Sequence, residues 1–292
     1  MTASATVYHR AGLAYRTTRP AWWRPLVELA MLGVLIVVFT VAVTLPVGFA
    51  AGHYGVDDII FDEGSSDPLA ALMQVFFIAI WLPAPFLAAR IAGRDPGALW
   101  SAAGRLRWGV FGRALAVVLA VYGGQVLVDA ILFDDAPTHL TTRQVQLIAA
   151  FVIVVPLQAA AEEFVFRGAL PQILGQWIRP GWICYGLPAV AFVASHAYNW
   201  VGLVDISIFA FCTALLAWRT RGVEATVALH AVSNTVVFTY GALGISDPSE
   251  TEITPEQTIM SSLLTIGVTV LLLWVLREKS SANSVVSASS TA

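Results

Sequence analysis

Residues 26–50 read LVELAMLGVLIVVFTVAVTLPVGFA, and Glu28 is the one charged residue among them. A helix needs about 20 predominantly apolar residues to cross the roughly 30 Å hydrocarbon core of a bilayer. This run is long enough, and its carboxylate lies near one edge. The run therefore predicts a transmembrane helix.

Seven further apolar runs repeat the pattern as far as the C-terminal region. They cover residues 69–92, 108–132, 144–168, 181–199, 201–218, 223–243 and 257–276. Before the last run, Thr254 and Gln257 have the spacing of a capping box, and Pro255 occupies the first helical position. We therefore predict an all-α polytopic membrane protein, a bundle of about eight transmembrane helices.

The composition excludes an ordinary soluble protein. Hydrophobic residues make up 58% and charged residues 12% of the 292 residues, against about 45–50% and roughly 25% in soluble domains. The net charge of −3, without a clustered basic face, gives no indication of nucleic-acid binding. Cys184 and Cys212 both lie in apolar runs and form neither a disulfide framework nor a CxxC metal pair.

The domain organisation follows from the same runs. Residues 1–25 contain four arginines and no short apolar region before a cleavage site, which predicts a retained cytoplasmic N-terminal segment. Residues 26–279 form the predicted transmembrane domain, with a motif-bearing core at 144–243. Residues 280–292 are small and polar and are predicted to be a disordered tail.

The distribution of charge predicts the orientation. With eight spans and the N-terminus in the cytoplasm, every basic residue except Arg143 and Arg167 falls in a cytoplasmic segment, as the positive-inside rule requires. The outer loops would instead hold acidic residues: Asp57, Asp58, Asp62, Glu63, Asp67, Asp134, Asp135, Asp205, Asp247, Glu250, Glu252 and Glu256. We predict a multi-pass plasma-membrane protein with both termini cytoplasmic.

The fourth run ends in a charged motif, AAEEFVFRG at residues 160–168. Ionisable groups inside a spanning helix cost roughly 2.5–3.5 kcal/mol each and mark functional sites by default. Glu163 and Arg167 are four residues apart and can pair, whereas Glu162 points about 100° away. The alternative interpretation is an ion pair and a protonated glutamate that hold helices together.

Two other runs contain polar residues at the same spacing. Phe192 and His196 lie four apart in the fifth run, and His230 and Asn234 lie four apart in the seventh. Taken singly, each pair is compatible with hydrogen bonding between helices. Together with the glutamates they form a set suited to activating water: a base, imidazoles to orient water or hold a metal, and an amide donor for an oxyanion.

The three motifs EExxxR, FxxxH and HxxxN, in this order on separate membrane helices, resemble the CPBP family of intramembrane proteases. This family, also called ABI, comprises CAAX proteases and bacteriocin-processing enzymes. The resemblance extends from about Gln144 to Tyr240, roughly a third of the chain. It implies a membrane endopeptidase whose active site lies inside the helix bundle and opens to the cytosolic side.

The resemblance also implies residue roles. Glu162 and His196 would activate the attacking water, and His230 and Asn234 would stabilise the oxyanion. Glu163 and Arg167 would orient and support the site. Zinc is the ion usually assigned to the family. Three residues, Glu162, His196 and His230, could be its ligands, and a metal-free mechanism is left open.

Helix geometry leads to one further prediction. At 1.5 Å per residue, His196 lies about 22 Å from Gly181, whereas Glu162 lies about 12 Å from Leu170, near which the fourth helix is predicted to end. For His196 and Glu162 to lie at the same depth in the membrane, the fifth helix must be shorter. We therefore predict that it begins near Leu187. Residues 171–186 would then form a broken or amphipathic stretch at the cytoplasmic interface.

Two other functions are alternatives to the peptidase. One is a non-catalytic bacteriocin-immunity or scaffold protein of the same fold. The other is a proton-coupled transporter, which the absence of sequence repeats and paired broken helices disfavours. The single lysine and the alanine-rich composition indicate a bacterial protein. The expected partners are membrane lipid and a membrane-associated peptide or protein substrate.

Overall fold

The computed structural model describes residues 7–14, 16–19, 21–62, 65–132, 137, 139–247 and 249–277. The predicted tail at 280–292 lies outside these residues. Within them the α-helices are α1 (Ala11–Ala14), α2 (Arg24–Tyr54), α3 (Asp57–Ile60), α4 (Pro68–Ala79), α5 (Ala84–Ile91), α6 (Trp108–Leu132), α7 (Thr142–Glu163), α8 (Leu170–Leu174), α9 (Gly181–Ala194), α10 (Trp200–Thr220), α11 (Glu224–Leu243) and α12 (Pro255–Val275). Short 3₁₀ helices cover Tyr8–Arg10 and Pro96–Leu99. The described residues contain two isolated β-bridges and no strand.

Six stretches of the described chain are long and apolar enough to cross a membrane. They are α2, α4 with α5, α6, α7 continued to Leu174, α10 and α12. This confirms the predicted all-α polytopic fold. The other two predicted spans correspond to α9, which has 14 residues, and α11, which has 20.

The fifth predicted helix differs from its prediction. It begins at Gly181 and not near Leu187, and it ends at Ala194. Only residues 175–180 of the predicted interfacial stretch are non-helical. The prediction was wrong because the preceding helix was ended too early. It continues to Leu174, which puts Glu162 about 18 Å from its end and close to the depth of His196.

A π-helical turn at Phe164–Ala169 makes this continuation possible. It joins α7 to α8 immediately before Pro171. A proline ring lacks the N–H of a regular helix and clashes with the carbonyl four residues earlier, here that of Arg167. The wider π turn relaxes that constraint and keeps the chain helical, and such turns occur frequently at functional sites.

The packing of α7 and α11 positions the motifs. These two helices lie against each other, α4 packs against α7, and α6 packs against α11. Phe151 of α7 stacks on Phe238 of α11 with ring centroids 5.3 Å apart. Helix α10 packs between α9 and α12. All three motif segments therefore face one interior region.

One predicted loop residue lies elsewhere. Asp205 was assigned to an outer loop, but it lies within α10 and accepts a hydrogen bond from Ser262 Oγ of α12 at 2.7 Å. The assignment was wrong because Asp205 falls within the predicted span at 201–218, which the structure forms as α10.

The N-terminal segment Tyr8–Ala14 packs onto one end of the bundle. Tyr8 is fully buried, and its hydroxyl donates to the carbonyl of Leu99. The carbonyl of His9 approaches Gly175 so closely that an added Cβ would lie 1.8 Å from it. Side chain and backbone thus both fix this segment.

A buried ion pair lies beneath that segment. Arg94 Nε donates to Glu28 Oε2 at 2.8 Å, and Arg94 Nη1 donates to Gln172 Oε1 at 2.6 Å. Gln172 in turn donates to the carbonyl of Ala98 at 2.7 Å. The single charge of the first apolar run is therefore paired inside the protein.

Candidate active site

Glu163 is the centre of a buried charged network. Its Oε1 lies 3.3 Å from Arg167 Nη1 and 2.9 Å from His230 Nδ1. Arg167 Nη2 also donates to Thr213 Oγ1 of α10 at 2.6 Å. The predicted Glu163–Arg167 pair is confirmed, and it connects three of the helices in the bundle.

Glu162 approaches the opposite edge of the same imidazole. Its Oε2 lies 3.6 Å from His230 Nε2, too far for a direct hydrogen bond. Glu162 Oε2 is buried and has no hydrogen-bond partner among the described residues. Buried polar atoms are nearly always partnered, and an exception is explained by strain, by a catalytic role, or by a bound water or ion.

Phe192 brings the second motif to this network. The Arg167 guanidinium carbon lies 4.1 Å from the centroid of its ring. The ring centroids of His196 and His230 lie 4.6 and 6.2 Å from the same centroid. Phe192 therefore lies next to polar side chains of all three motifs.

His196 lies just beyond the C-terminus of α9. Its Nδ1 is 2.8 Å from the carbonyl oxygen of Phe192. Because a carbonyl can only accept, Nδ1 carries the proton, and the neutral ring keeps its lone pair on Nε2. His196 is partly exposed and within electrostatic range of Glu162, Arg167 and His230. It can therefore accept a hydrogen bond at the open side of the site.

Asn234 lies one turn after His230 on α11. Its Nδ2 donates to Oε1 of Gln158, a buried residue of α7, at 3.4 Å. Gln158 is itself one turn before Glu162, so the two helices oppose each other through two successive polar pairs. Sequence reasoning missed Gln158 and also Thr213. For Gln158 the four-residue spacing to Glu162 was an available signal.

The three predicted zinc ligands can hold one ion only if their side chains lie close together. Three ligands of one zinc ion lie about 2.0–2.2 Å from it and hence close to one another. Among the described residues, no group of three His, Cys, Asp or Glu side chains could hold a metal ion. The arrangement of Glu162, His196 and His230 therefore does not fit a zinc ion, and no step of the reaction is assigned to zinc. Zinc binding stays a prediction, which elemental analysis of the purified protein would test.

Residues 144–236 match a family described as type II CAAX prenyl endopeptidase Rce1-like. The matched stretch is about a third of the chain and contains all three motifs. The match confirms the resemblance to the CPBP family. At the level of the family it supports a CAAX-type intramembrane protease.

The chain is also similar to YyaK of Bacillus subtilis (strain 168), which is described as an uncharacterized protein. The two are 26% identical over 182 residues, which cover 58% of this chain and 60% of the relative. The chain thus spans less than two thirds of the length of that relative. No solved structure matches the chain.

Proposed function

We propose that the chain is an intramembrane endopeptidase that hydrolyses a peptide bond in a membrane-associated protein or peptide. The observation that carries the proposal is the buried, unpartnered Oε2 of Glu162 beside His230 Nε2. The family match adds independent support for protease chemistry. The plasma membrane, with both termini cytoplasmic, is the proposed location.

The first chemical step in this proposal is activation of water. Glu162 accepts a proton from a water molecule, and the lone pair of His196 Nε2 accepts a hydrogen bond from the same water. The water oxygen then attacks the peptide carbonyl carbon. A carboxylate in a low-dielectric site, freed from other hydrogen bonds, is suited to this role.

The second step is collapse of the tetrahedral intermediate. An N–H of the Asn234 amide stabilises its oxyanion, and so does Nε2–H of His230 when that ring is an imidazolium, while Glu163 accepts from Nδ1 and holds the ring in place. The C–N bond breaks as the proton held by Glu162 passes to the amine nitrogen. Arg167 balances the charge of Glu163 throughout.

Gln158→Leu is expected to lower kcat by about 10- to 100-fold while leaving KM nearly unchanged, because Asn234 loses the partner that orients its amide. Steady-state kinetics with any peptide cleaved by the wild-type protein would measure both constants. Gln158→Asn, which keeps an amide, should recover part of kcat. Equal loss of kcat in the two variants with an unchanged melting temperature would argue against this positioning role.

A further inference from the structure

A cavity of about 830 Å³ lies where α6 begins and where α10 and α12 end. Five of its lining residues are arginines: Arg107, Arg113, Arg219, Arg221 and Arg277. The exposed indole of Trp274 is also part of its wall. None of these residues belongs to the candidate active site.

One arginine of this cavity, Arg107, is bound to a carboxylate. Glu224 is buried and bound to one arginine, with Oε1 and Oε2 accepting from Arg107 Nε and Nη2 at 2.8 and 2.7 Å. No described carboxylate lines the cavity. Arg113, Arg219 and Arg277 therefore give the cavity a positive charge.

An apolar groove lies beside the cavity, between α10 and α12. It has a volume of about 520 Å³, and its lining, which includes Phe211, Leu215 and Val270, is almost entirely apolar. Leu273 lines both the cavity and the groove, so the two spaces lie next to each other. A basic cavity thus lies beside a groove of hydrocarbon side chains.

The combination matches the chemistry of one amphipathic anion. Guanidinium groups bind phosphate oxygens in bidentate geometry, and basic pockets between membrane helices bind anionic headgroups. Indoles such as Trp274 favour the headgroup layer. We propose that the cavity binds the phosphate of an anionic phospholipid and that the groove holds one of its acyl chains. This site is independent of the proposed peptidase activity.

The test uses the full-length protein in neutral detergent. Native mass spectrometry would measure binding of dioleoyl phosphatidylglycerol, of dioleoyl phosphatidylcholine with the same chains, and of inorganic phosphate. We expect phosphatidylglycerol to bind at least about tenfold more tightly than either, because only it supplies both a net negative headgroup and an acyl chain. Equal binding of the two lipids, or equally tight binding of phosphate alone, would overturn the proposal.

Matched variants separate the site from surface charge. The double variant Arg113→Gln/Arg219→Gln removes two exposed arginines of the cavity and should weaken phosphatidylglycerol binding at least about tenfold. Its control, Arg90→Gln/Arg179→Gln, removes two exposed arginines outside the cavity. An equal loss of phosphatidylglycerol affinity in both double variants would mean that surface charge in general attracts the lipid. That result would refute a specific site.

A third variant tests the groove. Val270 is 60% exposed, so Val270→Phe adds bulk to the groove without disturbing the core. It should weaken phosphatidylglycerol binding while leaving binding of inorganic phosphate unchanged. An unaltered affinity for phosphatidylglycerol would refute the claim that the groove holds an acyl chain.

Discussion

Glu162→Gln is expected to lower the rate of peptide-bond cleavage by at least about 10²–10⁴-fold, the contribution typical of a general base. Glutamine has nearly the same size and can still bind water, but its amide cannot take a proton. The position faces His230 Nε2 at 3.6 Å and satisfies no structural hydrogen bond through Oε2. The variant should therefore fold like the wild type but cleave peptide bonds far more slowly.

The measurement is cleavage of membrane-anchored peptides in proteoliposomes, with products identified by mass spectrometry. Asp129→Asn is the matched control, since it removes a carboxylate that binds Tyr240 on a different part of the bundle. Full activity of Glu162→Gln would refute the peptidase mechanism. Peptide binding by the wild type without any cleavage would favour the immunity or scaffold alternative.

Arg167→Met should destabilise the protein by about 3–5 kcal/mol, because removing one partner of a buried pair leaves the other charge uncompensated. The side chains of Arg167 and Glu163 are 1% and 0% exposed. The same substitution also removes the donor to Thr213. Thermal unfolding in detergent, followed by tryptophan fluorescence, would show a lower melting temperature.

Two comparison variants make this result specific. The double variant Glu163→Gln/Arg167→Met removes both charges and should recover much of the lost stability while cleavage stays impaired. Arg143→Met breaks the exposed pair with Asp67, in which Arg143 is 59% exposed, and should change stability by only about 0–1 kcal/mol. If Arg167→Met loses no more stability than Arg143→Met, the role assigned to the buried pair is contradicted.

The long apolar helices were predictable because their signal is local. A run such as residues 26–50 has only one way to satisfy its backbone in lipid, and the structure forms α2 there. The fifth helix was not predictable in the same way. Its position relative to Glu162 depends on the π turn at Phe164–Ala169, for which residue spacing gives no sign.

The candidate site was predictable as a set of residues but not as a network. Spacing of four placed Glu163 beside Arg167, and this required only one helix. The bond between Glu163 and His230 joins residues 67 positions apart and depends on the register of α7 against α11. Thr213 belongs to no motif, so only packing reveals its contact with Arg167.

The packed N-terminal segment has a consequence for biogenesis. Tyr8 bonds to a residue 91 positions later, and His9 to the carbonyl of Arg179, 170 positions later. Tyr8 therefore acquires its partner only after synthesis has passed Leu99, and His9 only after synthesis has passed Arg179. Docking of Tyr8–Ala14 is a late step in assembly, and a bulky N-terminal fusion partner would interfere at that stage.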